Sequence, residues 1–167
     1  MTTIQFIKDQ MFLGHGWFLG IVKGLTDEQA NYLPSGTAHP IGAIVQHVLF
    51  VEDDTINRRL QGGESIWERD GWGERAGLPN LRGADEAAYR AFRMPAAALD
   101  DYRRAVWAAS DAYLDTLTEE DLLREMESAG RASSVGAALG IVLNHTPIHV
   151  GEISAIKGIQ GLRGSPL

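Results

Sequence analysis

Apolar residues recur along this chain at steps of three and four, the spacing that lines one face of a helix. Ile4, Ile7, Met11, Phe18, Ile21 and Leu25 make one such stripe, with Phe6, Leu13 and Trp17 on an adjoining one, and predict a helix over about 4–25. Thr26 followed by Asp27, Glu28 and Gln29 reads as a cap opening a short helix to about 33. Pro40 suits a first helical position, and Ile41, Ile44, Val48, Val51 and Thr55 mark the inner face of a second main helix to about 60. Leu99, Tyr102, Val106, Ala109, Tyr113 and Leu117 do the same for a third, over about 95–117. Ser133 or Ser134 caps a fourth that ends near 161. No segment carries a strand-period pattern of any strength.

Between the second and third helices the pattern breaks. Gly62, Gly63, Gly71, Gly73, Gly77, Pro79 and Gly83 punctuate a stretch in which Trp67 and Trp72 stand among charges. It is too long and too aromatic for a linker, so it is expected to fold over one mouth of the bundle, with a short helix around 84–92. The tryptophans are read as its anchors. The expected fold is therefore all-α: a four-helix bundle with a long irregular connection between main helices 2 and 3, one domain over 1–167.

The fourth helix departs from a plain apolar seam. Ala138, Val142, His145, His149, Glu152 and Ile156 follow its steps of four and three, so imidazoles occupy places where leucines are expected. Buried polar side chains need partners, and a metal ion is a common partner for paired histidines. Thr146, Pro147 and Ile148 fill the gap, so the glutamate of a His-Glu-x-x-His protease is missing. Pro147 removes a helical hydrogen bond and should kink the helix. His47, on the flank of the second helix, could join His145 and His149 in the bundle core, leaving open positions on zinc, nickel or a similar ion. Glu152 could hydrogen-bond a ligand histidine or act as a base. His15 is read as structural, and Glu52, Asp53 and Asp54 as a solvated acidic edge, with Glu52 leaning toward the core. Gly16, Gly20 and Gly24 either let another helix approach closely, within the chain or across a dimer, or reflect only that Gly24 ends the first helix.

Composition narrows the chemistry. A net charge of −7 argues against a nucleic-acid or anionic-membrane surface. No apolar run approaches the ~18 residues of a membrane span and the start lacks a signal-peptide pattern, so the cytoplasm is the expected location. The chain has no cysteine, so any thiol chemistry must use a small molecule from outside.

The segment from His39 through Pro40, Ile41, Gly42, Ala43, Ile44, Val45 and Gln46 to His47, followed by Glu52, resembles the DinB-like superfamily of metal-binding four-helix bundles. So do His145 with His149-Val150-Gly151-Glu152-Ile153 and the closing Gly161-Leu162-Arg163-Gly164-Ser165-Pro166. That superfamily includes the N-terminal halves of mycothiol-dependent maleylpyruvate isomerases and bacterial thiol S-transferases. The resemblance implies that His47, His145 and His149 are metal ligands and that the protein is a homodimer. It also implies a metal-activated low-molecular-weight thiol, such as mycothiol or bacillithiol, acting on an electrophilic small-molecule substrate. Arg58, Arg59, Arg69 and Arg75 are the candidates to hold so acidic a cofactor. The alternatives are a metal-hydroxide hydrolase with Glu152 as the catalytic group, a non-catalytic stress or regulatory protein whose ion only fastens helices, and a bundle without metal.

Overall fold

Thr2 accepts the Gln5 backbone N–H and so starts α1 (Thr3–Val22), which ends before Gly24, a residue with φ of +79°. The computed structural model describes residues 1–76, 85–128 and 131–165. A capping box between Thr26 and Gln29 opens α2 (Asp27–Asn31). Pro40 precedes α3 (Ile41–Asp53), which passes directly into a π-helical segment (Asp54–Leu60) where a continuous α-helix was expected. The connection carries α4 (Ile66–Arg69), α5 (Trp72–Ala76) and α6 (Glu86–Ala91). Next come α7 (Ala96–Thr116), a 3-10 turn (Asp121–Leu123) and, capped by Ser134, α8 (Val135–Ile159). α8 is continuous through Pro147.

α1 packs along α8, and α3 lies against both α7 and α8. Among the described residues no helix is long and apolar enough to cross a membrane. Gly42 lets α2 come close, since a Cβ there would lie 3.3 Å from the Ala30 carbonyl oxygen. Gly16 and Gly20 face open space, so within the chain only Gly24 of the three has a structural use.

Two further expectations are corrected. An antiparallel hairpin pairs β1 (Glu125–Ser128) with β2 (Arg131–Ser134), Glu125 opposite Ser134 and Met126 opposite Ser133. It was invisible to hydrophobic patterning because its short strands are mostly polar and are held by backbone bonds. Glu52 and Asp53 are not a solvated edge: they are 1% and 0% exposed.

Those acids explain how the bundle is pinned. One apolar cluster gathers Phe18, Leu49, Val106 and Val150; a second gathers Met11, Ile56, Tyr113 and Val142. Between them in sequence lie buried polar residues from every main helix: His15, Glu52 with Asp53, Ser110 and Thr146. Ser110 Oγ donates to Glu52 Oε1 at 2.6 Å, and His15 Nε2 lies 3.0 Å from Glu52 Oε2 while its ring stacks on Trp107 at 4.0 Å. Ser110 thus takes the buried position expected for Ala109, because Glu52 needs a donor there.

Asp53 secures the connection. Its Oδ1 accepts from Ile66 N (2.7 Å) and Asn57 Nδ2 (2.9 Å), and its Oδ2 from Trp67 N (3.0 Å) and Tyr102 Oη (2.7 Å). Trp67 and Trp72 are the expected anchors, buried against Tyr102 with ring centroids at 5.0 and 5.7 Å. Asp53→Ala should cost about 3–5 kcal/mol, because buried donors would lose a charged-group acceptor. Asp54→Ala, whose partner Arg58 is partly exposed, should cost under about 1 kcal/mol. Urea denaturation of both variants checks the contrast, and equal small losses would remove Asp53 from this role.

Candidate metal centre

α3 and α8 run side by side, and each turns a histidine face toward the same cleft. His145 and His149 are four apart on α8, one above the other; His47 comes from the middle of α3. All three are half-buried, and one ring nitrogen of each lies within 4.8 Å of the others. His145 Nε2 is 3.1 Å from His47 Nε2 and 3.2 Å from His149 Nε2. Bonds of ~2.05 Å to one ion at tetrahedral angles would set neighbouring nitrogens ~3.3 Å apart. The spacing fits a shared divalent ion.

Proton bookkeeping supports the fit. Glu152 Oε2 lies 2.7 Å from His149 Nδ1. This hydrogen bond holds the Glu152 carboxyl below its usual range. An ionised carboxylate can only accept, so the His149 proton sits on Nδ1 and Nε2 keeps its lone pair for the cleft. His47 Nδ1 is 3.3 Å from Tyr89 Oη, which leaves its Nε2 facing the same point. Burial, then the neighbouring His149, lowers the pKa of His47; the same causes, with His47 added, bring His145 down to about 4. Both are therefore neutral at pH 7, the form that ligates metals.

Two of the triad, His47 and His149, line a cavity of about 310 Å³ with His39, Ala43, Ile44, Tyr89 and Glu152. Histidine spacing on two helices singled out His47, His145 and His149, which the structure brings together, and Glu152 beside them. It gave no role to His39, which appeared only inside a quoted motif, or to Tyr89, on a segment with no periodicity to place it. A larger apolar cleft of about 430 Å³ between α1, α3 and α7 shares no residue with this one. Its lining lacks a ligand cluster, so the chemistry points to the smaller cavity. His15 is separate from the triad, bonded to Glu52 under Trp107. Among the proposed thiol-holding arginines, Arg58 pairs with Asp54 and Arg69 with Asp70, and neither these nor Arg59 lines the cavity. The Arg75 side chain lies outside the described residues.

The lowered histidine pKa values set a pH dependence. Protonation at His47 and His145 is easier in the unfolded chain, so their stabilising share is complete above about pH 6.5. It is lost as pH falls through the folded values, reaching about 4 for His145. Glu152, lowered from 4.5, acts in the same direction at still lower pH. The melting midpoint of metal-free protein should fall between pH 6.5 and 4, and His145→Gln should flatten that slope. A flat wild-type profile would contradict the burial argument.

Comparisons with known proteins agree with this architecture. A structure described as the conserved protein of locus from Enterococcus faecalis superposes with a TM-score of 0.80 at 21% identity, covering 96% of this chain and 99% of that one. A DinB-like protein from Bacillus cereus ATCC 10987 gives a TM-score of 0.67 at 17% identity, covering 96% and 95%. These likenesses establish the fold. No curated protein matches the chain. The family model of the DinB superfamily matches residues 17–153, a span that includes all three histidines and Glu152. The chain belongs to the DinB superfamily.

Proposed function

We propose that this protein is a divalent-metal enzyme, using zinc or nickel, that activates a small thiol or water for attack on an electrophilic small molecule. The observation that carries the reading is the convergence of three imidazole nitrogens at the edge of an open cavity. An ion held there supplies Lewis acidity that keeps a bound thiol or water deprotonated near neutral pH. A structural ion normally has a closed shell of four protein ligands, whereas the group found among the described residues has three.

The residues divide the work. His47, His145 and His149 would hold the ion, two of them from one rigid helix. Glu152 would fix the tautomer and ring orientation of His149. As a general base it is poorly matched, because its hydrogen bond lowers its pKa and an effective base has a pKa near the working pH. Ala43 and Ile44 give the cavity an apolar wall, which restricts water and favours a compact substrate. With no cysteine in the chain, the thiol in the transferase form of this reading comes from solution.

Metal analysis of protein purified without a histidine tag should find about one ion per chain. His145→Ala and His149→Ala should each lose it. Stoichiometric metal in both variants would overturn the assignment. With cobalt in the site, millimolar cysteine, mycothiol or bacillithiol should produce a sulfur-to-metal charge-transfer band in the near ultraviolet. Its absence for all three would remove the thiol form and leave the hydrolytic one.

A further inference from the structure

α6 is an unusual element to find fixed in place. It is six residues long and none of its residues is fully buried, although Ala88 and Tyr89 pack against the larger apolar cluster. Polar contacts fix it further. Asp85 accepts from Ala88 N at 2.9 Å and caps its start. Arg90 donates to the carbonyls of Ala38 and, at 3.3 Å, Pro34, just ahead of α3. Directly after α6, Phe92 and Met94 are 3% and 1% exposed. Asn31 exchanges two bonds with the Met94 backbone, at 3.0 and 2.9 Å. The chain is thus clamped on both sides of one side chain that reaches the metal site, Tyr89.

Tyr89 meets the triad through a defined contact. Its hydroxyl oxygen is 3.3 Å from His47 Nδ1, its ring stands edge-on to His47 with centroids 5.8 Å apart, and its other side meets His39 at 5.7 Å. For His47 to offer Nε2 to an ion, its single proton must sit on Nδ1, and Tyr89 Oη is the acceptor within reach of that nitrogen. This is the arrangement His149 has with Glu152 on the opposite side of the triad.

We propose that Tyr89 is a positioning residue for metal binding: its hydroxyl accepts the Nδ1–H of His47, locks the Nε2-ligating tautomer, and makes α6 part of the metal site. The inference rests on the metal-enzyme reading above. Ligation makes the imidazole N–H a stronger donor, and outer partners of this kind are typically worth about 10–100-fold in metal affinity.

The test is chelator competition with zinc on the full chain, wild type against Tyr89→Phe, which keeps the ring and removes the acceptor. Tyr89→Phe should bind zinc at least about tenfold more weakly, with the metal-free melting midpoint unchanged. Binding within twofold of wild type would overturn the inference and leave the metal site standing. Failure of wild type to bind zinc would instead overturn the underlying reading. A second measurement needs no variant: in zinc-loaded wild type carrying nitrogen-15 histidine, His47 should show a metal-bound Nε2 and a slowly exchanging Nδ1 proton. A His47 bound through Nδ1, or an Nδ1 proton exchanging as fast as in free imidazole, would also overturn it.

Discussion

The layer of polar side chains between the two apolar clusters is the constraint on which the bundle depends. Leucine-like packing tolerates many sliding positions of one helix past another, because dispersion and burial are not directional. Glu52 is directional. Its carboxyl oxygens meet Ser110 from α7 and His15 from α1, so a slip of one turn by either helix would strand a buried polar group at a cost of about 1–3 kcal/mol or more. The next residue, Asp53, extends the same logic to the connection by holding the first backbone N–H groups of α4 and the Tyr102 hydroxyl. Two adjacent carboxyls thereby tie α1, α3 and α7 in one register and fix the start of α4.

The candidate metal site lies beside that layer. His47 lies little more than one turn before Glu52 on α3, and His145 and His149 bracket the buried Thr146 on α8. The three imidazoles meet where α3 packs against α8. Lateral placement comes from the apolar neighbours: Val48 and Val150 are buried next to His47 and His149 and hold the ligands at the rim of the core. The imidazoles are therefore half-buried, and burial keeps His47 and His145 neutral at pH 7.

Much of this was legible in the chain because it follows a period. The four main helices, the buried stripe of α1 and the His145–His149 pair all rest on the 3.6-residue repeat. The ligand from α3 needed tertiary proximity and became readable only by assuming a bundle. What patterning misjudged has a common cause. Glu52 and Asp53 look solvated because acids usually are, and nothing local tells that Ser110, Tyr102 and the start of α4 supply their donors. The hairpin escaped because backbone pairing, not a buried face, makes it. The π segment escaped because one extra residue per turn leaves no mark on a short stretch. Tyr89 sits on a helix too short to carry a period and His39 in the chain just ahead of α3, so the place of Tyr89 at the site is a product of clamps such as Arg90 and Asn31.

His47 and His145 stand 98 positions apart in the chain. An ion shared by the two would be a reversible crosslink across most of the molecule's length. It would favour the folded chain by mass action, since the unfolded one must close a very long loop to offer the same ligands. Resistance to unfolding and readiness for chemistry would rise and fall with one concentration, that of the free metal, so cellular metal supply would govern the abundance of this protein as well as its activity.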